Sequence, residues 1–408
     1  MRTVAGADFV RRQNRGLVLS ALRRHGPMSR TQLATATGLS NASLTAIGGE
    51  LIAQGILQEG APRTPPGARG RPAVEVTFNR EAAYAAIIEL DVNRVRCSLV
   101  NYAGGLADRT EVAVTAELFA ETAPGDYLVA RVRQLADRNP GEMSNLRGIA
   151  VSVQGVLDRK ADGLLWSPIP HVAGASIAAR LSEAFDVPVT LQKRGGLLAE
   201  GARLLYPELS NLPLAAIFVG STVGMGLSAP DRSIGQESGT EFGHMNHVPS
   251  GALCRCGQKG CIEAYAADYG VLRAAYGVPD QVAPASSVPP AAYQELIHLA
   301  QTGRRNVIHA FHLAGRALGF GLSRLMTVAA PAHIVVTGPG ANAFELMRGE
   351  IEAALRESLV CRIHGTPPIT VHHDEREPIF QGMLRNVLDA LDDGFAGTAS
   401  EARLSSVR

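Results

Sequence analysis

The 408 residues are 46% hydrophobic and 19% charged, with a formal net charge of +1, which is the make-up of a globular chain with room for two or three domains. No apolar run reaches the ~18 residues of a membrane span, and the start shows no apolar segment ahead of a cleavage site, so neither a membrane span nor a secretory leader is expected and the cytoplasm is the expected location. The small net charge hides a split: residues 1–80 carry eleven Arg, no Lys and four acids (Asp8, Glu50, Glu59, Glu75), a net of +7, leaving −6 on the rest. A basic head on an acidic body fits a negatively charged partner, nucleic acid first, although a solvated basic surface gives the same balance.

In chain order, residues 15–23 form a helix with Leu17, Val18, Ala21 and Leu22 on one face, stopped by Gly26-Pro27. Ser29 caps a short helix, Arg30 to Thr37, with Gln32 placed for a capping box, and Gly38 ends it in a left-handed turn. Ser40 caps a further helix, Asn41 to Gln54, with Leu44, Ile47, Leu51 and Ile52 inward. Strands at 56–59 and 73–78 flank a Gly/Pro-rich loop carrying Arg63, Arg69 and Arg71.

This order spells a winged helix-turn-helix over residues 1–80. Ala34 is small where the helices cross, and Leu39 plugs the gap. Ser29, Arg30 and Thr31 on the first helix, and Ser40, Asn41, Ser43 and Thr45 on the second, can approach phosphates and base edges. Arg69 and Arg71 suit a minor groove or the phosphate backbone. The residues and the charge imply binding to a double-stranded DNA operator. A small helical bundle for protein contact is the plainer alternative.

Beyond Arg80 the pattern turns α/β: paired strands at 84–91 and 96–101, strands at 146–156, 187–191, 215–219 and 333–337, helices at 127–138 and 177–185, and a Pro/Ala/Ser loop at 278–290. Residues 81–393 form this body, and residues 394–408 read as a frayed tail.

Of five Cys, Cys97 and Cys361 stand alone among apolar residues, as buried small hydrophobes. Cys254, Cys256 and Cys261 cluster, with Gly257 and Gly260 letting the loop fold back. Three thiolates plus one imidazole, His244 or His247, make a closed tetrahedral set suited to structural Zn²⁺.

Glu241-Phe-Gly-His244 followed by Cys254-Arg-Cys256-Gly-Gln-Lys-Gly-Cys261-Ile-Glu263 resembles the signature of the ROK family, named for repressors, open reading frames and kinases. The resemblance runs from about residue 10 to residue 393. The Ser29-Arg-Thr-Gln-Leu-Ala34 segment and the Gly70-Arg-Pro72 after the wing resemble its repressor branch. It implies an α/β body of two actin-like, sugar-kinase-like lobes with the ligand in the cleft. It also implies His244 as the zinc ligand, and sugar hydroxyls bound by Glu241, His244 and Glu263.

Three departures from the kinases stand out. Asp91-Val-Asn-Arg-Val95 replaces a Gly-rich phosphate turn, and Asn93 and Arg94 obstruct close backbone approach. Counting back from Ala199-Glu200 puts Leu191 and Gln192 where kinases carry an Asn-Asp pair, and an amide cannot serve as the general base. Gly220-Ser-Thr-Val-Gly-Met-Gly226 has Thr222 where a further Gly is usual, and Ile169 stands where a sugar-contacting Asn is often found. The expected function is therefore a non-enzymatic, sugar-responsive transcription repressor acting as a homodimer or homotetramer. A sugar kinase with an appended head, and a constitutive DNA binder with a vestigial cleft, are the alternatives.

Overall fold

A computed structural model describes residues 7–60, 74–115, 118–158, 160, 163–230 and 239–397. The head opens with helix Ala7–His25, which starts earlier than the sequence pattern suggested. Its inward face is Val18, Leu19 and Leu22, while Leu17 is 43% exposed, so the true stripe is shifted from the expected one. Helices Arg30–Thr37 and Asn41–Ala53 follow. Both caps are built as expected. Ser29 Oγ accepts from the Gln32 amide while Gln32 Oε1 accepts from the Ser29 amide, and Ser40 Oγ accepts from the Ser43 amide. Gly38 takes φ +71°, where a side chain would be strained. Strand Glu75–Phe78 pairs with Met28–Ser29 on one side and Leu57–Glu59 on the other, completing a three-stranded winged helix.

The body holds two five-stranded sheets of identical topology. In the first, antiparallel strands Leu106–Ala113, Arg94–Asn101 and Tyr84–Asp91 are extended by parallel strands Leu146–Val153 and Val189–Lys193. In the second, antiparallel Gly239–Thr240, Val223–Ser228 and Leu214–Val219 are extended by parallel His333–Thr337 and Ile369–His372. Helices Pro124–Arg138 and Ile177–Phe185 cover the first sheet, and the 24-residue helix Arg305–Val328 with Phe344–Glu357 covers the second.

Between the sheets lie two helices, Arg194–Leu205 and Arg376–Ala396. Their contact depends on glycine. A Cβ on Gly201 would lie 1.7 Å from the Pro378 carbonyl oxygen, and one on Gly382 would lie 2.3 Å from that of Leu197. The apolar core around this pair is continuous with the head: Leu19, Leu22, Phe78, Tyr102, Leu197, Phe218, Met383 and Leu388 belong to one buried cluster. The C-terminal helix runs to Ala396, past Asp393 where fraying was expected, because Phe395 packs edge-on against Tyr102 with centroids 5.0 Å apart. Among the described residues, no helix is long and apolar enough to cross a membrane.

Candidate functional site

The head's third helix presents an exposed face of short residues: Asn41, Ala42, Thr45, Ala46 and Gly49. Short side chains let a helix backbone approach a groove closely. Ser43 is half-buried against Ser40, with hydroxyls 3.0 Å apart, and Thr45 Oγ1 donates to the Asn41 carbonyl. Ser29 is committed to its cap, Arg30 pairs with Glu59 at 2.8 Å, and Thr31 is exposed. Part of the head's positive charge is structural: Arg11 pairs with Glu50, Arg15 donates to Gln54, and Arg23 pairs with Asp392. Arg69 and Arg71 lie outside the described residues.

In the body, four ligand atoms converge. His244, Cys254, Cys256 and Cys261 place theirs all within 4.8 Å of one another. Cys254 Sγ is 3.7 Å from His244 Nδ1, and Cys256 Sγ is 3.7 Å from Cys261 Sγ. A tetrahedron with metal–sulfur bonds of about 2.3 Å has sulfur–sulfur edges of about 3.8 Å, close to the two 3.7 Å separations, so the four residues could hold a metal ion. Burial pushes the Cys261 thiol up to about 11 and the Cys254 thiol higher still, so a bound cation is what would favour the thiolates. His247 is not in the cluster. Its ring packs against Tyr265 and Phe320, and burial lowers its pKa.

The imidazole serves two surroundings. With Nδ1 facing the thiols, His244 also lines the cleft between the lobes, where Trp166 meets its ring edge-on at 5.0 Å. Glu241 and Glu263 line the same cleft. Glu263 is 1% exposed; its Oε2 accepts from the Val223 amide, and its Oε1 accepts from the Tyr269 hydroxyl. Glu241 pairs with Lys193 Nζ at 2.5 Å. The three expected sugar-binding residues therefore meet in one place, and the metal-ligand cluster forms the wall behind them.

Gln192 does not join them. Its carboxamide faces the C-terminal helix, where Asn386 Nδ2 donates to Gln192 Oε1 at 3.3 Å. Lys193, the last residue of its strand, and Arg194, the first of the helix that follows, line the cleft wall instead. Counting back from Glu200 misplaced the pair because it took a fixed length for the following helix, which begins at Arg194. Leu191 and Ile169 are not cleft residues either. At 5% and 2% exposure they belong to the first lobe's core.

Sequence reasoning also missed what Asp91 does. Arg194 Nη1 donates to Asp91 Oδ2 at 2.5 Å, Arg94 Nη2 lies 3.5 Å from the same oxygen, and Glu375 lies 3.8 Å from both arginines. Burial opposes ionisation of Asp91, but Arg194 and Arg94 hold its carboxyl below its ordinary range. The first hairpin, closed by Val92-Asn93, is thus tied into a buried ion network. Two of the second turn's three glycines have packing roles: a Cβ on Gly220 would lie 2.8 Å from the Phe218 ring and one on Gly226 would lie 1.9 Å from the Gly195 carbonyl oxygen, whereas Gly224 has nothing within 4 Å.

The comparisons match this layout. The xylose repressor of Bacillus spizizenii is 24% identical over 336 residues, covering 82% of this chain and 84% of that protein. A crystal structure of a ROK family transcriptional regulator, a homologue of the E. coli MLC protein, superposes with a TM-score of 0.74 at 20% identity, over 95% of this chain and 98% of that one. A ROK hexokinase from Thermus thermophilus superposes with a TM-score of 0.59 at 22% identity, over 76% of this chain and 99% of its own. The kinase thus shares its two-lobed fold with most of this chain, whereas the regulator spans nearly all of it. The ROK family model matches residues 86–385, which include both lobes, the Cys/His cluster and the cleft, and the chain belongs to the ROK family.

Proposed function

We propose that this chain is a sequence-specific DNA-binding transcriptional regulator, a repressor, whose operator affinity is set by a sugar or sugar derivative in the interlobe cleft. The observation that carries the reading is the continuous core joining a winged helix to a two-lobed body. A ligand that favours one lobe arrangement can then bias the head, because the two share packing. The repressor relatives support the direction of control.

The units are the head, residues 1–80, and the body from residue 81. Asn41, Ser43 and Thr45, with Ser40 as cap and Ser29, Arg30 and Thr31 on the preceding helix, are the operator-facing set, joined by Arg69 and Arg71 from the wing. Glu241, His244 and Glu263 bind the sugar hydroxyls. Two heads must reach two half-sites, so the working form is a homodimer or homotetramer in the cytoplasm.

His244, Cys254, Cys256 and Cys261 hold Zn²⁺, whose chemistry here is structural: it fixes the loop bearing His244 and Glu263 against the cleft. The chain acts without phosphoryl transfer. At the end of strand Val189–Lys193 the cleft wall offers Lys193 and Arg194, neither of which can accept a proton from a sugar hydroxyl as a carboxylate does. The Asp91–Arg194 pair blocks the first turn from serving phosphate.

The test is fluorescence anisotropy of the purified chain on operator DNA selected from its own genome, at constant salt, with and without a panel of sugars. A sugar-dependent change in affinity supports the reading. ATP turnover with any hexose, or no preference between selected and random DNA, overturns it.

A further inference from the structure

We propose that Glu375 is the contact through which the state of the ligand cleft reaches the DNA-binding head, and that Arg194 is the switch to which it answers. The proposal deepens the regulator reading and rests on it for what the cleft and the head bind. Glu375 stands between the last strand of the second lobe, Ile369–His372, and the C-terminal helix Arg376–Ala396. That helix has 21 residues and is about 30 Å long. At its far end Asp392 binds Arg23 of the head, and Phe395 packs on Tyr102. A displacement of its start therefore bears on the head.

The start of the helix meets the cleft at Arg194. This residue lines the cleft wall, and its guanidinium touches both lobes. Nη1 donates to Asp91 Oδ2 in the first lobe at 2.5 Å, and the group lies 4.7 Å from the centroid of Phe218, on a strand of the second. Arg194 Nη2 and Arg94 Nη2 each stand 3.8 Å from Glu375 Oε1, too far for a hydrogen bond. Among the described residues, Arg194 Nε and Nη2 and Arg94 Nε are buried without a hydrogen-bond partner. Nε and Nη2 form the guanidinium edge that takes a carboxylate with two parallel bonds, and Glu375 is the carboxylate beside it.

Two arrangements follow. In the one seen here, Asp91 holds Arg194 and Glu375 is loose. In the other, Arg194 presents its unspent edge to Glu375 and draws on the start of the helix. A ligand in the cleft that contacts Arg194 favours one of them, which makes the joint a two-state element. The helix has a second contact with the same wall: Asn386 Nδ2 donates to Gln192 Oε1 at 3.3 Å, on the strand that ends at Lys193. It has little room to absorb a shift by bending, because its backbone at Pro378 and Gly382 is packed directly on that of Arg194–Leu205.

The decisive experiment needs no ligand and uses the full-length, metal-loaded protein. Asp91→Asn keeps an oxygen for the Val92 amide and Gln154 Nε2, which both donate to Oδ1, and turns an amide NH2 toward Arg194, which cannot accept from it. Arg194 is then released to Glu375. Operator affinity, read by fluorescence anisotropy, should change by about fivefold or more. Hydrogen exchange in the last turns of helix Ala7–His25 should change with it. Glu375→Gln alone should stay within about twofold of wild type, and the double variant should return toward wild type, because the released Arg194 then has no carboxylate to draw in. Effects that simply add in the double variant overturn the proposal, as does an Asp91→Asn protein with unchanged affinity and exchange. If Asp91→Asn does not fold, Glu375→Lys carries the test: it sets like charge against Arg94 and Arg194 and should shift both readouts, and no shift overturns the proposal. Where D-xylose, D-glucose or N-acetyl-D-glucosamine alters wild-type operator affinity, Glu375→Gln should still bind that sugar in calorimetry and lose the alteration; keeping it overturns the proposal. Failure to prefer operator over random DNA removes the regulator reading, and the exchange of the same proteins still decides this one.

Discussion

Arg23, near the end of the head's first helix, and Asp392, near the end of the body's last, form a two-pronged ion pair: Nε to Oδ2 and Nη2 to Oδ1, each 3.0 Å, with side chains 5% and 9% exposed. Arg23 Nη1 also donates to the Tyr102 carbonyl at 2.6 Å, and the Tyr102 hydroxyl donates to Asp392 Oδ1 at 2.6 Å. The guanidinium packs against the rings of Phe78 and Tyr102, 3.7 Å and 4.5 Å from their centroids. The head is joined to the body here by a satisfied polar network inside an apolar core, the arrangement that specifies one relative orientation.

Breaking one partner should be costly. Asp392→Ala leaves a buried guanidinium without its carboxylate and should destabilise by about 3–5 kcal/mol. Arg23→Met with Asp392→Leu removes both charges and should cost less than Asp392→Ala alone. Urea unfolding of the three proteins measures this. A double variant less stable than Asp392→Ala would show that the ion pair itself, not the orphaned charge, dominates.

The paired interior helices give a second expectation. Gly382→Ala drives a methyl group to 2.3 Å from the Leu197 carbonyl, so the C-terminal helix must move off its neighbour. A loss of about 1–3 kcal/mol is expected. Gly394→Ala, near the end of the same helix, has no atom within 4 Å of the added group and should be neutral or mildly stabilising, by up to about 1 kcal/mol. Equal effects at the two positions, read by thermal melting, would remove the close-packing argument.

For the metal cluster, Cys256→Ser should lower zinc content from about one equivalent toward none and lower the melting temperature. Cys97→Ser and Cys361→Ser are buried in the cores and should leave zinc content unchanged, whatever they do to stability. Elemental analysis after gel filtration decides it. Unchanged zinc in Cys256→Ser would dismiss the four-ligand site.

On the head, Ala46→Glu should abolish operator binding while leaving the fold intact. Ala46 is exposed on the face shared by Asn41 and Thr45, and a carboxylate there meets DNA phosphates. Asn41→Ala should weaken operator binding by about 1–3 kcal/mol and narrow the gap to random DNA if it reads a base edge. A uniform loss on all DNA would make Asn41 a phosphate contact instead.

What could be read from the sequence divides by range. The Ser29–Gln32 box, the Ser40 cap and the left-handed Gly38 are short-range bonds at set offsets, and each is in the structure. The Cys-x-Cys turn and Cys261 are equally local, and the structure groups His244, the residue the family pattern points to, with the three cysteines. The cleft wall failed at one point: Gln192 faces the C-terminal helix, while Lys193 at the strand end and Arg194 at the helix start line the cleft, which a residue count across a helix of unknown start does not reveal. The Arg23–Asp392 and Asp91–Arg194 pairs were beyond reach. Their partners are 369 and 103 residues apart, and charge tallies treat each as surface. The small Ala42 and Ala46 carry no polar signal, yet with Asn41 and Thr45 they make up the exposed face of the third helix.

A last expectation concerns pH. Asp268 is 8% exposed, and burial pushes its carboxyl up to about 6; Arg255, with Nη2 3.8 Å away, and the Tyr269 amide only partly offset this. In the unfolded chain the same group releases its proton near 3.9. Between these values the folded state binds more protons than the unfolded, so the contribution of Asp268 to stability is full below about pH 4 and is lost as pH rises through about 6. The lost part is at most about 3 kcal/mol. Asp268→Asn keeps an oxygen for the Tyr269 amide and does not titrate. Its stability relative to wild type should therefore rise between about pH 4.5 and about pH 7, then level off. Urea midpoints of the two proteins across that range measure the difference, and a difference that stays flat would place the Asp268 carboxyl in its ordinary range, with Arg255 compensating its burial in full.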